Sequence, residues 1–156
     1  MLASGLTHGG FYRHFASKNE LVVEAMGEAF GERGNEMRRR AEKAPAGKGW
    51  KAIVKWYLSE EHCLHPETGC PLAALAPELA RIEPAAAAKI AEALKGHRET
   101  LLPYMPGRRR ADREAAYAAI MSTLSGAMQI ARLLPDPSRR KRLLKDTRKF
   151  LLGSFE

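Results

Sequence analysis

Hydrophobic residues recur every three to four positions along most of the chain, which is the spacing of one face of an α-helix. This repeat fills about 21–44, 50–65, 110–134 and 137–152. We find no sustained alternation of period two and no Asn-Gly or Asp-Gly hairpin turn in the sequence. The pattern therefore predicts an all-α protein, a helical bundle without a sheet.

Prolines and glycines divide this pattern into separate helices. The Pro-Ala-Gly run at 45–47 ends the first long helix. Pro71 opens a short helix to about Arg81, and Pro84 opens a longer one that ends at Pro103. Each proline stands where its missing N–H costs nothing, at the first turn of a helix or just beyond its end.

The first long helix has a clear beginning and an unusual composition. Ser17 and Glu20 form a capping box, in which a hydroxyl and a carboxylate satisfy backbone N–H groups at the helix start. Glycines at Gly27, Gly31 and Gly34 weaken the helix by their backbone freedom. They also predict that another helix approaches this face closely.

Size and composition favour a folded protein of the cytoplasm. The 156 residues are 45% hydrophobic, which is enough to bury a core. The apolar stretches are short and interrupted by charge, so we expect no membrane span, and the start does not resemble a secretory signal. Two cysteines are too few for a disulfide framework, and free thiols are expected.

The net charge of +8 is concentrated in the last third of the chain. Residues 106–149 carry 12 basic and four acidic side chains, whereas residues 1–45 carry seven and six. A basic protein suggests nucleic acid as a partner, but this excess lies far from the N-terminal motif described next. The run of four cations at 139–142 is typical of a solvated helix face, with a nucleic-acid role as the alternative.

The segment Gly5–Leu21 has the features of a helix-turn-helix reader of DNA. A turn glycine precedes a short helix that Thr7 caps and that runs to Phe15. Glycines in its first half let the helix approach another surface closely. The capped start of the next helix, with Lys18 beside it, suits a phosphate group. Such a short helix flanked by phosphate-directed donors matches what base recognition needs, although two ordinary packed helices are the alternative.

This segment resembles the end of the DNA-binding domain of the TetR family of transcriptional regulators. The shared features are a Gly-hydrophobic-Ser/Thr turn, a Tyr-x-x-Phe recognition helix and a Ser-Lys-x-x-Leu start to the following helix. The resemblance implies that Phe15 belongs to the core. It implies phosphate contacts for Thr7, Tyr12, His14 and Lys18, and contacts to base edges for His8, Gly9 and Gly10.

The resemblance also implies a domain organisation. Residues 1–32 correspond to a partial helix-turn-helix domain that begins near the end of the family's second helix, and residues 33–156 to a ligand-binding and dimerisation domain. Either the start lies downstream of the true one or the chain is a truncated relative. The family's dimer interface is formed by its last two helices, which correspond to 110–134 and 137–152 here. The alternative is that these two helices only complete the core of the monomer.

A ligand cavity in the second domain would need apolar walls with a few polar groups. Large side chains of this domain supply candidates, and each of them could instead fill the core. The candidates are Trp56, Tyr57, His62, Cys63, Leu75, Leu79, Tyr104 and Met121, with Trp50 and Met128 beside them.

The cluster His62, Cys63, His65 and Cys70 is the only group that suggests chemistry. Four such ligands could hold zinc, but the Cys-x6-Cys spacing fits no familiar zinc knuckle. Cys70 precedes the helix that Pro71 opens, a place that lowers a thiol pKa and favours redox sensing. A structural role, a redox or electrophile sensor and a metal site all stay open.

The remaining sequence suggests no catalysis. There is no phosphate loop, no Ser-His-Asp context and no pair of carboxylates, and His97 is expected on an ordinary polar helical face. We expect no enzyme, cofactor or metal. An all-α enzyme that uses His62, Cys63 or Cys70 is the least favoured class.

The function that the resemblance implies is a ligand-released repressor. Such a protein binds operator DNA as a homodimer and responds to a small hydrophobic or electrophilic ligand. The alternative is a truncated homodimeric module that binds a small molecule but no longer binds DNA.

Overall fold

A computed structural model of the protein describes residues 13–73 and 81–155, apart from the side chain at position 68. The described residues contain no strand, so the prediction of an all-α fold is confirmed. Short 3₁₀ turns follow two of the helices, at Pro66–Thr68 and Leu102–Tyr104. The α-helices with both ends among the described residues are α1 (Lys18–Glu42), α2 (Gly49–Tyr57), α3 (Glu60–Leu64), α4 (Pro84–Leu101), α5 (Arg110–Leu133) and α6 (Pro137–Gly153). Residues 13–14 and 71–73 are helical as well, and the rest of the helix predicted from Pro71 to about Arg81 lies mostly outside the described residues.

The start of α1 closely follows its sequence signature. The Ser17 hydroxyl accepts a hydrogen bond from the backbone N–H of Glu20 at 3.2 Å. The Glu20 carboxylate returns to the N–H of Ala16, one residue earlier than in the usual capping box. Both interactions satisfy N–H groups that the helix itself leaves open. Helices α5 and α6 likewise begin and end within one residue of the predicted limits.

The prediction of one continuous helix over about 50–65 is wrong. The chain breaks at Leu58 and Ser59, between α2 and α3. Ser59 has extended backbone angles, and its hydroxyl accepts a hydrogen bond from the N–H of His62 at 3.1 Å. A serine in this conformation is a strong start signal for a new helix. The hydrophobic repeat continues across the break, which is why periodicity alone did not reveal it.

Of the three glycines in α1, only Gly34 lies at a close approach. A Cβ atom at Gly34 would lie 3.3 Å from Cδ2 of His97 on α4. Open space surrounds the corresponding positions at Gly27 and Gly31, so the prediction is wrong for those two. The crossing point of α1 and α4 is therefore at Gly34.

The core has two parts. The main part surrounds α5, where Ile120, Leu124 and Met128 have no exposed surface. Trp50 and Tyr57 of α2 pack into the same cluster. A smaller cluster joins the first half of α1 to α4 and contains Met26, Phe30 and Ile90. The first half of α1 thus contacts the rest of the protein mainly through α4.

The outer faces of α5 and α6 expose large apolar side chains. Ile130, Leu133 and Phe150 are 53%, 81% and 68% exposed. Along the described parts of the chain, no helix combines the length and apolar character that crossing a membrane requires.

Candidate functional site

Most of the predicted DNA-contacting residues lie outside the described residues. This holds for Thr7, His8, Gly9, Gly10 and Tyr12. His14 and Lys18 are described, and both are exposed. Lys18 is the first residue of α1 and stands next to its serine cap, as the motif predicts.

An apolar pocket of about 370 Å³ lies between α4 and α5. Its volume is at the lower end of the range for small-molecule sites, and apolar groups dominate its walls. The Ser125 hydroxyl is buried there and has no hydrogen-bond partner among the described residues. The pocket is lined by Leu72, Leu94, Tyr117, Ala118, Met121, Ser122, Ser125 and Gln129.

A direct contact path leads from this pocket to α1. Tyr117 lines the pocket, and its hydroxyl oxygen lies 2.8 Å from Nδ1 of His97. The His97 ring meets Phe30 of α1 in an edge-to-face arrangement, with centroids 5.9 Å apart. The same ring packs over Gly34. Tyr117 is therefore connected to α1 through a single intervening side chain, His97.

His97 is neutral at neutral pH. Burial lowers its pKa to about 4, because the protein interior disfavours the charged imidazole. Only one of its ring nitrogens has a partner, since Nε2 is buried and carries no hydrogen bond to the described residues. The expectation that His97 lies on a polar, solvent-facing side of its helix is wrong, because the residue is buried and only 3% of it is exposed.

A second groove, of about 560 Å³, lies between α1 and α3, with Trp56 at the end of α2 also in its lining. Trp56 and His62 form its aromatic part, and arginines of α1 border it. The Arg40 guanidinium lies 4.5 Å from the centre of the Trp56 ring, and that of Arg33 lies 5.7 Å away. Both distances are typical of cation–π contacts.

His62 is held between two aromatic rings. Its ring centroid lies 4.7 Å from those of Trp56 and Tyr57. Burial, together with the positive charges of Arg132, Arg33 and Arg40, lowers the pKa of His62 to about 4. Its imidazole is neutral at neutral pH, in surroundings of positive potential.

Arg132 joins α5 to the end of α3. Its guanidinium donates hydrogen bonds to the carbonyl oxygens of His62 and Cys63, both at 3.3 Å. These carbonyls belong to the last turn of α3, where helix carbonyls lack intrahelical partners and the helix dipole favours a cation. Arg132 therefore fixes the turn that carries His62 into the groove.

The predicted ligand-binding residues do not gather in one cavity. Met121 lines the apolar pocket, whereas Trp56 and His62 line the groove. Tyr104 borders a different surface and donates its hydroxyl to Glu42 at 3.0 Å. Tyr57, Cys63, Trp50 and Met128 are buried side chains of the core, and Leu75 and Leu79 lie outside the described residues.

The two cysteines are free thiols with very little exposed surface. Cys63 is 3% exposed and Cys70 is 1% exposed. Burial raises the pKa of the Cys63 thiol, which disfavours the reactive thiolate. Within the described ranges, no three His, Cys, Asp or Glu side chains stand close enough to share a metal ion.

Sequence reasoning did not select Ser125, Tyr117, His97 or Arg33. For His97 a signal was present, because it continues the apolar spacing of Ile90 and Leu94 on α4. A polar residue in an apolar stripe is a candidate for a buried, hydrogen-bonded role. The other three carry no comparable signal, since their positions depend on how α5 and α1 meet their neighbours.

No protein-family model matches the chain, and no curated protein matches it. The described residues themselves offer an apolar pocket connected to α1 and a charged groove.

Proposed function

We propose that this chain is a TetR-like transcriptional regulator, a repressor that binds operator DNA as a homodimer and is released by a small ligand. The observation that carries the proposal is the contact path from the apolar pocket through Tyr117 and His97 to α1. Helix α1 begins at Lys18, within the segment Gly5–Leu21 that is assigned to DNA recognition. The ligand site would thus be connected, through Tyr117 and His97, to the helix that continues from the DNA-reading segment.

The path supports regulation by a shift between two arrangements of α1. A ligand that contacts Tyr117 in only one arrangement stabilises that arrangement by its difference in affinity. Because α1 packs on α4 around Gly34 and His97, a small rotation there is amplified towards the start of α1. In a dimer, such rotations change the spacing of two recognition helices and hence their fit to successive turns of DNA.

The pocket walls support a small and mostly apolar ligand. Leu72, Leu94 and Met121 provide apolar surface, and the unpartnered Ser125 hydroxyl offers one directional hydrogen bond. Gln129 adds an amide at the same wall. Neither cysteine lines this pocket, so the hydrophobic class of ligand is favoured over the electrophilic one.

Exposed apolar side chains support the proposed dimer. Leu133 of α5 and Phe150 of α6 are mostly exposed. Exposed apolar surface of this kind is unfavourable in a monomer, whereas a protein–protein interface would cover it. Small residues precede them along one face of α5, including Ala115 and Ala119, and allow helix axes to approach closely. A symmetric pairing of these faces would cover the apolar surface on both copies.

DNA binding is tested by electrophoretic mobility shift on the DNA upstream of the chain's own gene. The 156-residue chain is compared with a version extended through the in-frame upstream codons. We expect the extended version to bind at moderate salt, with an affinity that falls as salt rises. Lys18→Ala in the extended version should weaken binding, whereas Lys89→Ala on exposed α4 surface should not.

The dimer is tested separately by size-exclusion chromatography with light scattering. We expect a dimer for the unmodified chain and a monomer for Phe150→Glu, while Leu64→Glu serves as a control at another exposed apolar position. If neither version of the chain shifts DNA while the dimer persists, the proposal of a DNA-binding regulator fails. The ligand-binding module without DNA binding would then be the better description.

A further inference from the structure

The groove between α1 and α3 shares no lining residue with the apolar pocket and has a different chemistry. Its walls combine an aromatic surface with charged side chains, rather than apolar side chains with isolated hydroxyls. Trp56 and His62 supply the aromatic surface, and the charged side chains are of both signs: the arginines Arg33, Arg39 and Arg40 and the carboxylates Glu32, Glu36 and Glu61. A ligand suited to this groove differs from one suited to the pocket.

Arg33 is the groove arginine that has no carboxylate partner. Glu36 binds both Arg39 and Arg40, at 2.6 and 2.7 Å, and these hydrogen bonds hold the pKa of the Glu36 carboxyl below its ordinary value. No described carboxylate pairs with Arg33, and its buried Nε has no hydrogen-bond acceptor among those residues. A partly buried guanidinium without an anion is a costly arrangement, because its desolvation is not offset.

His62 provides the second unpartnered group of the groove. The residue is 5% exposed, lines the groove and carries an Nε2 atom without a hydrogen-bond partner among the described side chains. Three arginines contribute positive potential at its ring. Arg132 holds the turn that bears His62, so the ring is presented from a rigid support.

We propose that this groove binds a small aromatic carboxylate, with the carboxylate on the Arg33 guanidinium and the ring against Trp56 and His62. The planar fork of an arginine matches a carboxylate in two parallel hydrogen bonds, which no neutral group of the same shape reproduces. The aromatic ring of the ligand gains contact with Trp56, whose electron-rich face already attracts two guanidinium groups. The proposal does not depend on DNA binding or on the pocket beside Tyr117.

The test uses 2-naphthoate as the probe, with 2-naphthamide as its neutral counterpart of the same shape, in isothermal titration calorimetry of the full chain. We expect 2-naphthoate to bind with a Kd below about 1 mM and the amide to bind at least about tenfold more weakly. Arg33→Gln should weaken 2-naphthoate binding by about tenfold or more. Arg38→Gln removes the same charge from the same helix outside the groove and should change the Kd less than about twofold.

The position of the ligand is tested by the indole N–H resonances of the two tryptophans. Trp56 lines the groove, while Trp50 is buried in the core. We expect 2-naphthoate to shift the Trp56 resonance and to leave that of Trp50 unchanged.

Several results would overturn the proposal. These are equal affinities for the acid and the amide, unchanged binding by Arg33→Gln, a shift confined to Trp50, or no saturable binding at all. If Arg33→Gln fails to fold, the comparison of acid and amide on the unmodified chain still decides the question. Because these readouts need no DNA, their failure is distinguishable from failure of the proposed regulator function.

Discussion

The Nδ1 atom of His97 lies 2.8 Å from the hydroxyl oxygen of Tyr117 in a buried hydrogen bond that joins α4 to α5. His97 also packs against Phe30 and over Gly34 of α1. One imidazole of α4 therefore contacts both α1 and α5, and it does so beside the apolar pocket that Tyr117 lines. This contact is the point at which ligand binding and the position of α1 would be coupled.

Tyr117→Phe should destabilise the protein by about 1–3 kcal/mol, because it leaves a buried imidazole nitrogen without its partner. Urea unfolding followed by circular dichroism measures this change. Tyr104→Phe is the matched control, since its hydroxyl bonds to Glu42 at an exposed site and its loss should cost less than about 1 kcal/mol. Equal effects of the two substitutions would show that the His97–Tyr117 bond has no special importance for the fold.

The free energy of unfolding should fall as the pH falls from about 6.5 towards 4. Burial lowers the pKa of both His62 and His97 to about 4 in the folded protein, from an ordinary value near 6.5. Between these values the unfolded chain binds protons that the folded chain does not, so acid favours unfolding. The loss is on the order of 2–3 kcal/mol for each fully buried group. Urea unfolding at a series of pH values measures it.

A substitution at His97 separates its share of this pH dependence. His97→Gln keeps a polar side chain but removes the titrating group, so the curve should become shallower between pH 6.5 and 4. His65→Gln changes an exposed histidine and is the matched control. An unchanged slope for His97→Gln would contradict the assignment of a buried neutral imidazole.

Two glycines of α1 should respond in opposite ways to alanine. Gly31→Ala meets open space and should stabilise the protein by about 0.5–1 kcal/mol through helix propensity. Gly34→Ala places a methyl group 3.3 Å from the His97 ring, which the Tyr117 hydrogen bond and Phe30 restrain. We expect Gly34→Ala to be less stable than Gly31→Ala by at least about 1 kcal/mol. Thermal unfolding of the two variants gives the difference, and equal Tm values would contradict the close approach.

The two thiols should be almost unreactive in the folded protein. Cys63 and Cys70 are both buried, and burial raises the pKa of the Cys63 thiol. A thiol reagent such as 5,5′-dithiobis(2-nitrobenzoic acid) should label both cysteines rapidly in urea and at least about a hundredfold more slowly in buffer. Rapid labelling of Cys70 in buffer would instead favour the redox-sensor interpretation of that residue.

The sequence predicted the helices well because their signals are local. The caps at Ser17 and the prolines at 84 and 137 define helix starts through backbone groups a few residues away. The break at Ser59 was missed even though it uses the same chemistry, since Leu58 and its neighbours keep the hydrophobic repeat intact. Pattern and capping signals disagreed there, and capping decided the structure.

The candidate sites were much harder to predict. Large side chains such as Tyr57 and Met128 were natural ligand candidates, yet the core buries them completely. Ser125 and Arg33 are candidate ligand contacts because packing leaves a polar side-chain atom of each without a hydrogen-bond partner among the described residues. The motif at Gly5–Leu21 remains a prediction from sequence, because most of it lies outside the described residues.

The sequence by itself determined the all-α class, the limits of the long helices and the resemblance that suggests a regulator. Hydrophobic spacing and end-capping act within a few residues, so they can be read along the chain. Only the tertiary structure decided that His97 meets Tyr117, that Gly34 is the crossing point and that Arg33 faces an open groove. Burial of a polar group depends on which helix faces come together, and that is settled by packing between residues far apart in sequence.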